Sequence, residues 1–402
     1  MDRMILPDAA WRRRAGLDRL CAVLGAARGN ARFVGGAVRD TLLGIDVADV
    51  DIATPLAPDD VLDQLRAAGI RAIPTGLAHG TITAVLPDGS PVEVTTLRRD
   101  VSTDGRHAIV AFTDDWREDA ARRDFTMNAL YADPLTGEVF DYFGGREDLA
   151  AQRVRFIGDP LQRIAEDHLR ILRFFRFHAR FGDEPDAAGL TACAARANDL
   201  MALSRERIAA ELVKLLVAVH AVRVVDLMVE RGIFLPVLPE IDRAGVERLT
   251  TLAKRESVAA IPPAAIRRLA ALLPRNPSIA EDVGARLKLS KADRRRLINA
   301  AEPTGDDLAQ VLSYRLGTTL AIDRILLSNR PVTELAGLTD WVAPTLPLTG
   351  GALVGRGVNK GPDVARLLRT IEEQWIAEGF PDAARVSAIA DAAVVQWGLA
   401  AR

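Results

Sequence analysis

The sequence predicts an α+β fold in which a small mixed α/β unit precedes a long all-helical region. Strand signals are confined to residues 31–143, whereas the chain after Pro160 consists of helical segments separated by glycine or proline. Aromatic residues make up only 5% of the 402 residues. The cores must therefore be built mainly from alanine, leucine, valine and isoleucine, a composition that favours helices.

The mixed unit is predicted to begin with a helix over residues 8–28. A first strand opens at Val34, a helix follows over 37–43, and a second strand covers Val50 to Ala53. Residues 58–68 are predicted to be helical because two aspartates lie at their start, where negative charge favours the amino-terminal turn.

A hairpin is predicted next, and then an irregular segment. Residues 81–86 and 91–96 flank the sequence Pro87-Asp-Gly-Ser90, and Asp-Gly accommodates the positive φ angles of a tight turn. Residues 98–118 are polar and lack periodicity, which predicts a mobile loop.

The rest of the chain is predicted to form helices, and a chain of this length is expected to contain two to four domains. Candidate breaks between helices lie near 182–188, 232–240, 256–264, 273–278 and 330–362. We predict domains over residues 1–143, 144–228, 229–310 and 311–402.

Composition excludes several classes of protein. Cys21 and Cys193 are the only cysteines, so a disulfide framework is excluded and a reducing, cytoplasmic location is expected. The amino terminus is too polar for a signal peptide, and no segment is predicted to span a membrane. With 52 basic and 54 acidic residues the net charge is −2, so any contact with RNA must come from local patches.

Residues 33–54 contain the most informative pattern, a Gly35-Gly36 turn followed by Asp49 and Asp51 on an apolar run. Residues i and i+2 of a strand point to the same face, so both carboxylates are expected on one side of a sheet. Such oxygen ligands suit Mg²⁺ held together with substrate phosphates, and the glycines allow backbone N–H groups to approach those phosphates. Taken alone, the two aspartates would favour a turn or a helix cap, where aspartate is common.

Glu93 is a candidate third carboxylate. It lies between Val92 and Val94 on the predicted hairpin, and its side chain faces opposite to those valines. An isolated acid in a strand usually faces solvent, and that alternative stays open here.

A second motif covers residues 119–130. Arg122 and Arg123 offer donors to triphosphate oxygens, and Asp124 and Asn128 would share a helical face from which they could bind ribose hydroxyls. The alternative is a surface helix with a cluster of charges.

A third motif contains Asp167 and Arg170, three residues apart on a predicted helix. The acceptor and the donor could read the polar edge of a nucleobase, or they could form an intrahelical salt bridge. Arg173 and Arg176 continue the stripe and could face the triphosphate, the RNA backbone or solvent.

Two further segments are assigned other roles. Ser204 is expected to cap a helix that carries Arg207 and Glu211, and this helix is assigned support rather than catalysis. Residues 286–296 are basic, which fits either a solvated face or a contact with RNA phosphates.

These motifs resemble a known family. The order strand, Gly-Gly, helix and strand with Asp-x-Asp resembles the head of the polymerase-β nucleotidyltransferase superfamily. Residues 35–44 look like the branch with bacterial (class II) CCA-adding tRNA nucleotidyltransferases and poly(A) polymerases, and residues 122–129 and 166–170 are similar to its motifs. The resemblance spans roughly residues 31–228, with a weaker similarity at 348–368.

The sequence departs from this family at three positions. Ile164 and His168 stand where many relatives have Phe and Pro, and Ala352 stands where relatives often have Asp. The first two changes leave the paired acid and arginine intact but could alter base preference.

The resemblance implies a nucleotidyltransferase head, an elongated helical neck and body, and a tail that contacts tRNA. The implied activity is template-independent addition of C, C and A to the 3′ end of tRNA from CTP and ATP, with Mg²⁺ as cofactor and pyrophosphate as product. It assigns Asp49 and Asp51 to catalysis and the metal, and Glu93 to a general base or a further ligand. It assigns nucleotide binding to Gly35, Gly36, Arg39, Arg122, Arg123, Asp124, Asn128, Asp167, Arg170, Arg173 and Arg176.

Other functions fit the same motifs. A poly(A) polymerase would use ATP only, and a split activity would add only CC or only A. A non-catalytic RNA-binding scaffold and transfer of a nucleotide to a small molecule are further alternatives. In the family, a flexible segment such as residues 98–118, with Asp104 to His107, helps to reorganise the base pocket between C and A addition.

Overall fold

The computed structural model of the chain describes residues 3–103, 108–359 and 361–400. It divides into two compact units, the first formed by residues 1–247 with 283–289 and the second by 248–282 with 290–402. The predicted fold class is confirmed, because the strands precede residue 142 and the described chain beyond them forms helices and their connections. The predicted division into four domains stays a prediction.

The described strands are β1 (Arg32–Val34), β2 (Val50–Thr54), β3 (Arg71–Gly76), β4 (Thr81–Val85), β5 (Pro91–Thr96), β6 (Arg98–Thr103), β7 (Ala108–Phe112), β8 (Leu130–Ala132) and β9 (Val139–Asp141). The helices as far as residue 230 are α1 (Leu17–Val23), α2 (Gly36–Leu42), α3 (Pro58–Ala67), α4 (Trp116–Ala121), α5 (Gly145–Ala150), α6 (Pro160–Glu166), α7 (Arg170–Phe181), α8 (Ala187–Ala195), α9 (Arg205–Leu216) and α10 (Ala221–Glu230). The later helices are α11 (Arg243–Val258), α12 (Ala265–Leu272), α13 (Pro277–Arg286), α14 (Lys291–Ala301), α15 (Ala309–Leu316), α16 (Thr318–Leu327), α17 (Gly350–Val354), α18 (Pro362–Ala377) and α19 (Ala383–Ala400).

Within the described ranges, seven strands form one mixed sheet in the order β3-β4-β5-β2-β1-β8-β9. Strands β2 and β5 run parallel, and their register places Asp51 opposite Glu93. Val50 and Ile52 are buried on one face of β2, so Asp51 lies on the other face by strand alternation. The register gives Glu93 the same face as Asp51, and this is the face that carries the chemistry described below.

The predicted hairpin is confirmed as β4 and β5. In its turn, Gly89 has a φ of +86°, and the Asp88 carboxylate accepts a hydrogen bond from the Ser90 backbone N–H at 2.9 Å. The helix predicted over residues 8–28 is interrupted instead, because Gly16 and Gly25 adopt left-handed conformations that end one helical turn and start the next.

The mobile loop predicted over residues 98–118 is wrong for the described part of that segment. Strands β6 and β7 pair antiparallel as a separate hairpin, and α4 begins at Trp116. Backbone hydrogen bonds between two strands satisfy polar segments that show no periodicity of their own. Residues 104–107, the centre of the expected loop, lie outside the described residues.

Cys21 and Cys193 are both free and buried, and burial raises the pKa of the Cys21 thiol to about 12. In the described ranges, none of the helices combines the length and the apolar character needed to cross a membrane.

The second unit contains a buried network of charges. Arg267, which is 2% exposed, donates hydrogen bonds to Glu256 at 2.8 Å and to Asp323 at 3.1 Å. Arg296 donates to the same Asp323 at 2.6 Å, and Arg268 donates to Glu256 at 2.9 Å. This network links α11, α12, α14 and α16, so its geometry specifies how these helices pack.

We expect Arg267→Met to destabilise the second unit by about 3–5 kcal/mol, because two buried carboxylates each lose a charged partner. Urea unfolding, together with hydrogen exchange of peptides from α12 and α16, measures this loss. The control is Arg315→Met, which breaks exposed ion pairs with Asp307 and Glu373 and should change the free energy of unfolding by less than about 1 kcal/mol. Equal losses in both variants would contradict the assignment.

Candidate active site

A cavity of about 630 Å³ lies in the first unit, between the open face of the sheet and helix α7. Every residue predicted to bind nucleotide lines it, together with both predicted metal ligands. The lining residues are Gly35, Gly36, Arg39, Asp49, Asp51, Arg98, Arg122, Arg123, Asp124, Asn128, Asp167, Arg170, Arg173, Arg176 and Phe177. The sequence analysis missed Arg98 and Phe177, and it included Glu93, which is exposed and outside this lining.

The Gly-Gly turn forms one edge of the cavity. Gly35 has a φ of +69° and a ψ of −122°, a conformation that a residue with a Cβ rarely adopts. Its N–H donates to the Leu130 carbonyl at 3.1 Å, and α2 begins at Gly36. Both glycines line the cavity, and the Arg123 Nη1 and Arg39 Nη2 atoms lie 3.6 and 3.7 Å from the positions that Cβ atoms on Gly35 and Gly36 would take.

The two aspartates meet at the sheet side of the cavity. Asp49 is exposed and directly precedes β2, whereas Asp51 is half-buried within it. Burial raises the pKa of Asp51 to about 6, repulsion from Glu93 and Asp49 adds to this, and Arg123 partly offsets it. Across the described chain, no cluster of three or more acidic, histidine or cysteine side chains is arranged to hold a metal. A cation here would therefore need further ligands from a bound substrate or water.

Arg122 and Arg123 are held by one buried carboxylate that the sequence analysis did not single out. Asp119 accepts hydrogen bonds from Arg122 at 2.8 Å and from Arg123 at 3.1 Å. Burial would raise the pKa of Asp119, but Arg123 and Arg122 more than offset this and hold it at about 2. The sequence contained a signal for this contact. Asp119 lies three residues before Arg122 and four before Arg123, and at this spacing one acid can pair with both arginines at the end of a helix.

The helical face that Asp124 and Asn128 would share if residues 119–130 were helical is not formed. Helix α4 ends at Ala121, and a short 3₁₀ helix covers Thr126–Asn128. Asp124 and Asn128 nevertheless meet, because the Asn128 amide donates to the Asp124 carboxylate at 2.9 Å. Arg173 donates to the other oxygen of Asp124 at 2.8 Å, and Arg39 donates to the side-chain oxygen Oδ1 of Asn128.

The single helix predicted to carry Asp167 and Arg170 is also wrong. Asp167 has an extended backbone and ends α6, and α7 begins at Arg170. Arg170 pairs with Glu166 at 2.6 Å, whereas Arg207 donates to both carboxylate oxygens of Asp167 at 3.1 and 3.0 Å. Each group therefore has its own partner in place of the intrahelical salt bridge, and both line the cavity.

Helix α9 stands behind this wall, in agreement with the supporting role predicted for it. Ser204 caps the helix by accepting from the Arg207 backbone N–H at 3.4 Å. From the same helix, Arg207 holds Asp167 and Glu211 pairs with Arg176.

Phe177 lies where three cationic side chains converge. The guanidinium carbons of Arg176, Arg39 and Arg173 lie 4.3, 5.3 and 5.4 Å from the centre of its ring. Cation–π attraction at these distances draws the three groups towards one ring. Its position seven residues after Arg170 on an amphipathic helix could have indicated its place in the lining.

The three residues that differ from the family pattern lie outside the cavity lining, and so does the basic segment over residues 286–296. The His168 Nδ1 atom is 3.0 Å from the Ile164 carbonyl oxygen, so these two departures contact each other in the α6–α7 connection. In residues 286–296, Arg286 pairs with Glu240 and Arg296 with Asp323. The contact predicted between this segment and RNA stays a prediction.

Comparison with known proteins identifies relatives that match most of the chain. A family model described as the poly A polymerase head domain matches residues 31–155, and one described as a probable RNA and SrmB-binding site of polymerase A matches 186–244. The mitochondrial CCA tRNA nucleotidyltransferase 1 of Homo sapiens is 36% identical over 387 residues, which cover 91% of this chain and 87% of that protein. The CCA-adding enzyme of Lacticaseibacillus paracasei is 30% identical over 376 residues, which cover 89% of this chain and 90% of that protein.

A solved structure agrees with these relatives. The crystal structure of the Bacillus stearothermophilus CCA-adding enzyme in complex with CTP superposes with a TM-score of 0.72 at 27% identity. The match covers 91% of this chain and 94% of that one.

The raised pKa of Asp51 predicts a pH-dependent effect on stability. A carboxyl whose pKa is about 6 when folded and 3.8 otherwise stabilises the fold below pH 3.8, and this contribution is lost as the pH rises through 6. Without divalent cations, Asp51→Asn should therefore be about 2 kcal/mol more stable than the wild-type protein at pH 8, and this difference should shrink at pH 5. Thermal unfolding in EDTA measures both differences.

The control for this experiment is Asp49→Asn, because Asp49 is exposed and should change the unfolding temperature little. An Asp51→Asn variant that is no more stable than the wild-type protein at pH 8 would contradict this prediction, because it would show that the ionised Asp51 carboxylate does not destabilise the fold.

Proposed function

We propose that this chain, which belongs to the CCA tRNA nucleotidyltransferase family, adds C, C and A to the 3′ end of tRNA and releases pyrophosphate. The observation that carries this proposal is the single cavity that brings together the Gly-Gly turn, two aspartates and a wall of arginines. Relatives with this activity in their names align over about nine-tenths of the chain. That extent favours CCA addition over poly(A) synthesis, although both activities use the same head.

The chain's own residues bind and orient the reactants. Guanidinium groups offer paired donors that match phosphate oxygens, and Arg122 and Arg123 present them to the cavity from fixed positions. The backbone N–H groups beyond Gly35 approach the same anion. Holding the triphosphate beside the 3′-hydroxyl converts an encounter between two molecules into a step within one complex.

The base is proposed to be read by Asp167 and Arg170. An aspartate oxygen accepts and a guanidinium donates, so together they complement the Watson–Crick edges of cytosine and adenine without a template. Arg207 and Glu166 hold these two side chains in place through the ion pairs described above. Asp124 and Asn128, joined by their own hydrogen bond, are proposed to bind the ribose.

Magnesium is the proposed cofactor, and Asp49 and Asp51 would hold it. Two carboxylates on one wall of an arginine-rich cavity fit Mg²⁺, which usually takes one or two protein carboxylates and completes its shell with water and substrate phosphates. Bound there, the cation would neutralise phosphate charge and acidify the attacking hydroxyl. The pKa of Asp51, which is raised by burial first and by repulsion from Glu93 and Asp49 second, supports this, because a bound cation would compensate the buried charge and relieve the repulsion. Glu93 remains the proposed general base or additional ligand.

The cytoplasm is the proposed location. The two free, buried cysteines fit a reducing compartment. Cell fractionation tests this proposal.

We expect the purified protein to extend a tRNA that ends at its discriminator base by two C residues when supplied with CTP alone. With CTP and ATP together it should add CCA and stop, because the bound tRNA limits the length of the product. Asp51→Ala, or treatment with EDTA, should lower the rate at least about 100-fold, since charge stabilisation in the site is lost. Gel analysis of labelled products measures each result.

The matched control is Asp59→Ala, an exposed aspartate at the start of α3, which should keep full activity. Long tails made from ATP alone would instead identify a poly(A) polymerase. Unchanged activity after Asp49→Ala or Asp51→Ala would favour a scaffold whose site is inert.

We also expect deletion of residues 103–108 to spare C addition and abolish A addition. The physical reason is that β6 begins at Arg98, which lines the cavity, so the hairpin is connected directly to the nucleotide site. Single-nucleotide incorporation into tRNAs ending in the discriminator base or in CC separates the two steps. Equal loss of both additions would refute a specific role of the hairpin in A addition.

A further inference from the structure

We propose that Asp119 is a positioning residue for nucleotide binding, because one buried carboxylate orients Arg122 and Arg123 and anchors the strand that begins at Arg98. All three arginines line the cavity, whereas Asp119 does not. The inference rests on the proposed function and assigns a role to the first residue of the motif over 119–130, for which the sequence analysis predicted none.

The contacts of Asp119 fill its acceptor sites. Oδ1 accepts from the Arg122 Nε at 2.8 Å and from the Arg98 backbone N–H at 3.2 Å. Oδ2 accepts from the Arg123 Nη2 at 3.1 Å and from the Tyr131 hydroxyl at 2.6 Å. An ionised carboxylate has about four lone-pair sites, so each of these donors has a place.

The exposed fractions of the side chains show that the carboxylate and the two arginines have different roles. The side chain of Asp119 is 1% exposed, whereas those of Arg122 and Arg123 are 14% and 19% exposed. Asp119 therefore has no surface with which to touch a ligand, and it acts on the ligand through the two guanidinium groups.

Tyr131 makes the position of Arg123 more rigid. Its hydroxyl donates to Asp119 and accepts from the Arg123 Nε at 3.2 Å, so the three side chains form a closed ring of hydrogen bonds. Tyr131 is fully buried, and Trp116 packs edge-on against it at 5.6 Å. Arg123 cannot turn away from the cavity without breaking bonds to both partners.

The same carboxylate holds the start of β6. The Arg98 N–H that it accepts belongs to the first residue of that strand, and the Arg98 side chain donates to the His79 carbonyl at 2.6 Å. Loss of the charge at Asp119 would thus release the guanidinium groups of Arg122 and Arg123 at the end of α4. It would also release the hydrogen bond that anchors the first residue of β6. Adjacent guanidinium groups without their shared counter-charge repel each other and spread apart.

The test is Asp119→Asn, which preserves the shape of the side chain and removes its charge. We expect the dissociation constants of CTP and ATP, measured by calorimetry on the full-length protein, to rise about 10- to 100-fold, because the arginines lose their alignment. The affinity for tRNA should stay within about twofold of the wild-type value. Asp119→Glu, which keeps the charge on a longer side chain, should restore part of the nucleotide affinity.

The matched control is Asp323→Asn. Asp323 is also a fully buried carboxylate shared by two arginines, but it lies in the second unit. It should leave nucleotide affinity unchanged even though it destabilises its own unit. If both variants weaken nucleotide binding equally, the effect is general destabilisation and the proposal is overturned.

A combined variant tests whether Asp119 acts through the arginines. In a protein that already carries Arg122→Ala and Arg123→Ala, adding Asp119→Asn should change nucleotide affinity by less than about twofold, because coupled residues are not additive. A further tenfold loss would overturn the proposal. If Asp119→Asn does not fold, Tyr131→Phe removes the two ring bonds made by the hydroxyl, keeps the bond between Arg123 and Asp119, and should weaken nucleotide binding by a smaller factor. Unchanged binding would contradict the proposal.

The CCA-addition assay keeps this inference separate from the proposed function. A wild-type protein that binds nucleotides but adds none to tRNA would refute the function and leave the positioning role measurable by calorimetry. An active wild-type protein whose Asp119→Asn variant binds nucleotides normally would refute the positioning role alone.

Discussion

The arginines that line one cavity repel one another, so they must be held by nearby carboxylates. This requirement organises the first unit. Arginines crowd the cavity wall, and in a partly buried site their mutual repulsion is weakly screened. Asp124 pairs with Arg173 within the lining. Carboxylates outside the lining pair with the others: Asp119 with Arg122 and Arg123, Glu166 with Arg170, Glu211 with Arg176 and Asp40 with Arg39. The wall can therefore present donors to an anion without collapsing onto itself or spreading apart.

The residues proposed to bind phosphate and those proposed to read the base belong to one packed body. Phe125 follows the arginine motif, and its ring lies 5.0 Å from Phe156 and 5.2 Å from Phe177 of α7. Arg170 also donates to the Arg122 carbonyl at 3.1 Å, so the first residue of α7 is bonded to the backbone of the motif over residues 119–130. Apolar packing and hydrogen bonds thus keep the two walls of the cavity at a constant separation, which is what alignment of a triphosphate and its base requires.

The sequence analysis succeeded where chemistry and conformation are local. The Asp-Gly turn, the cap at Ser204 and the alternation in β5 depend on neighbours along the chain, and the structure contains each of them. It failed where a segment takes its structure from contacts that its own periodicity does not indicate. Strands β6 and β7 satisfy each other's backbone groups, and the two motif helices are interrupted where side chains turn towards the cavity.

From the residues alone, the fold class, the family and the residues of the binding motifs could be determined, because each depends on spacings of a few positions along the chain. The partners of those residues could not be determined in this way. Arg207 and Asp167 are 40 residues apart, Arg173 and Asp124 are 49 apart, and Arg39 and Asn128 are 89 apart. Which carboxylate neutralises which arginine is decided by chain packing, since a hydrogen bond depends on distance and angle in space and periodicity carries no record of either.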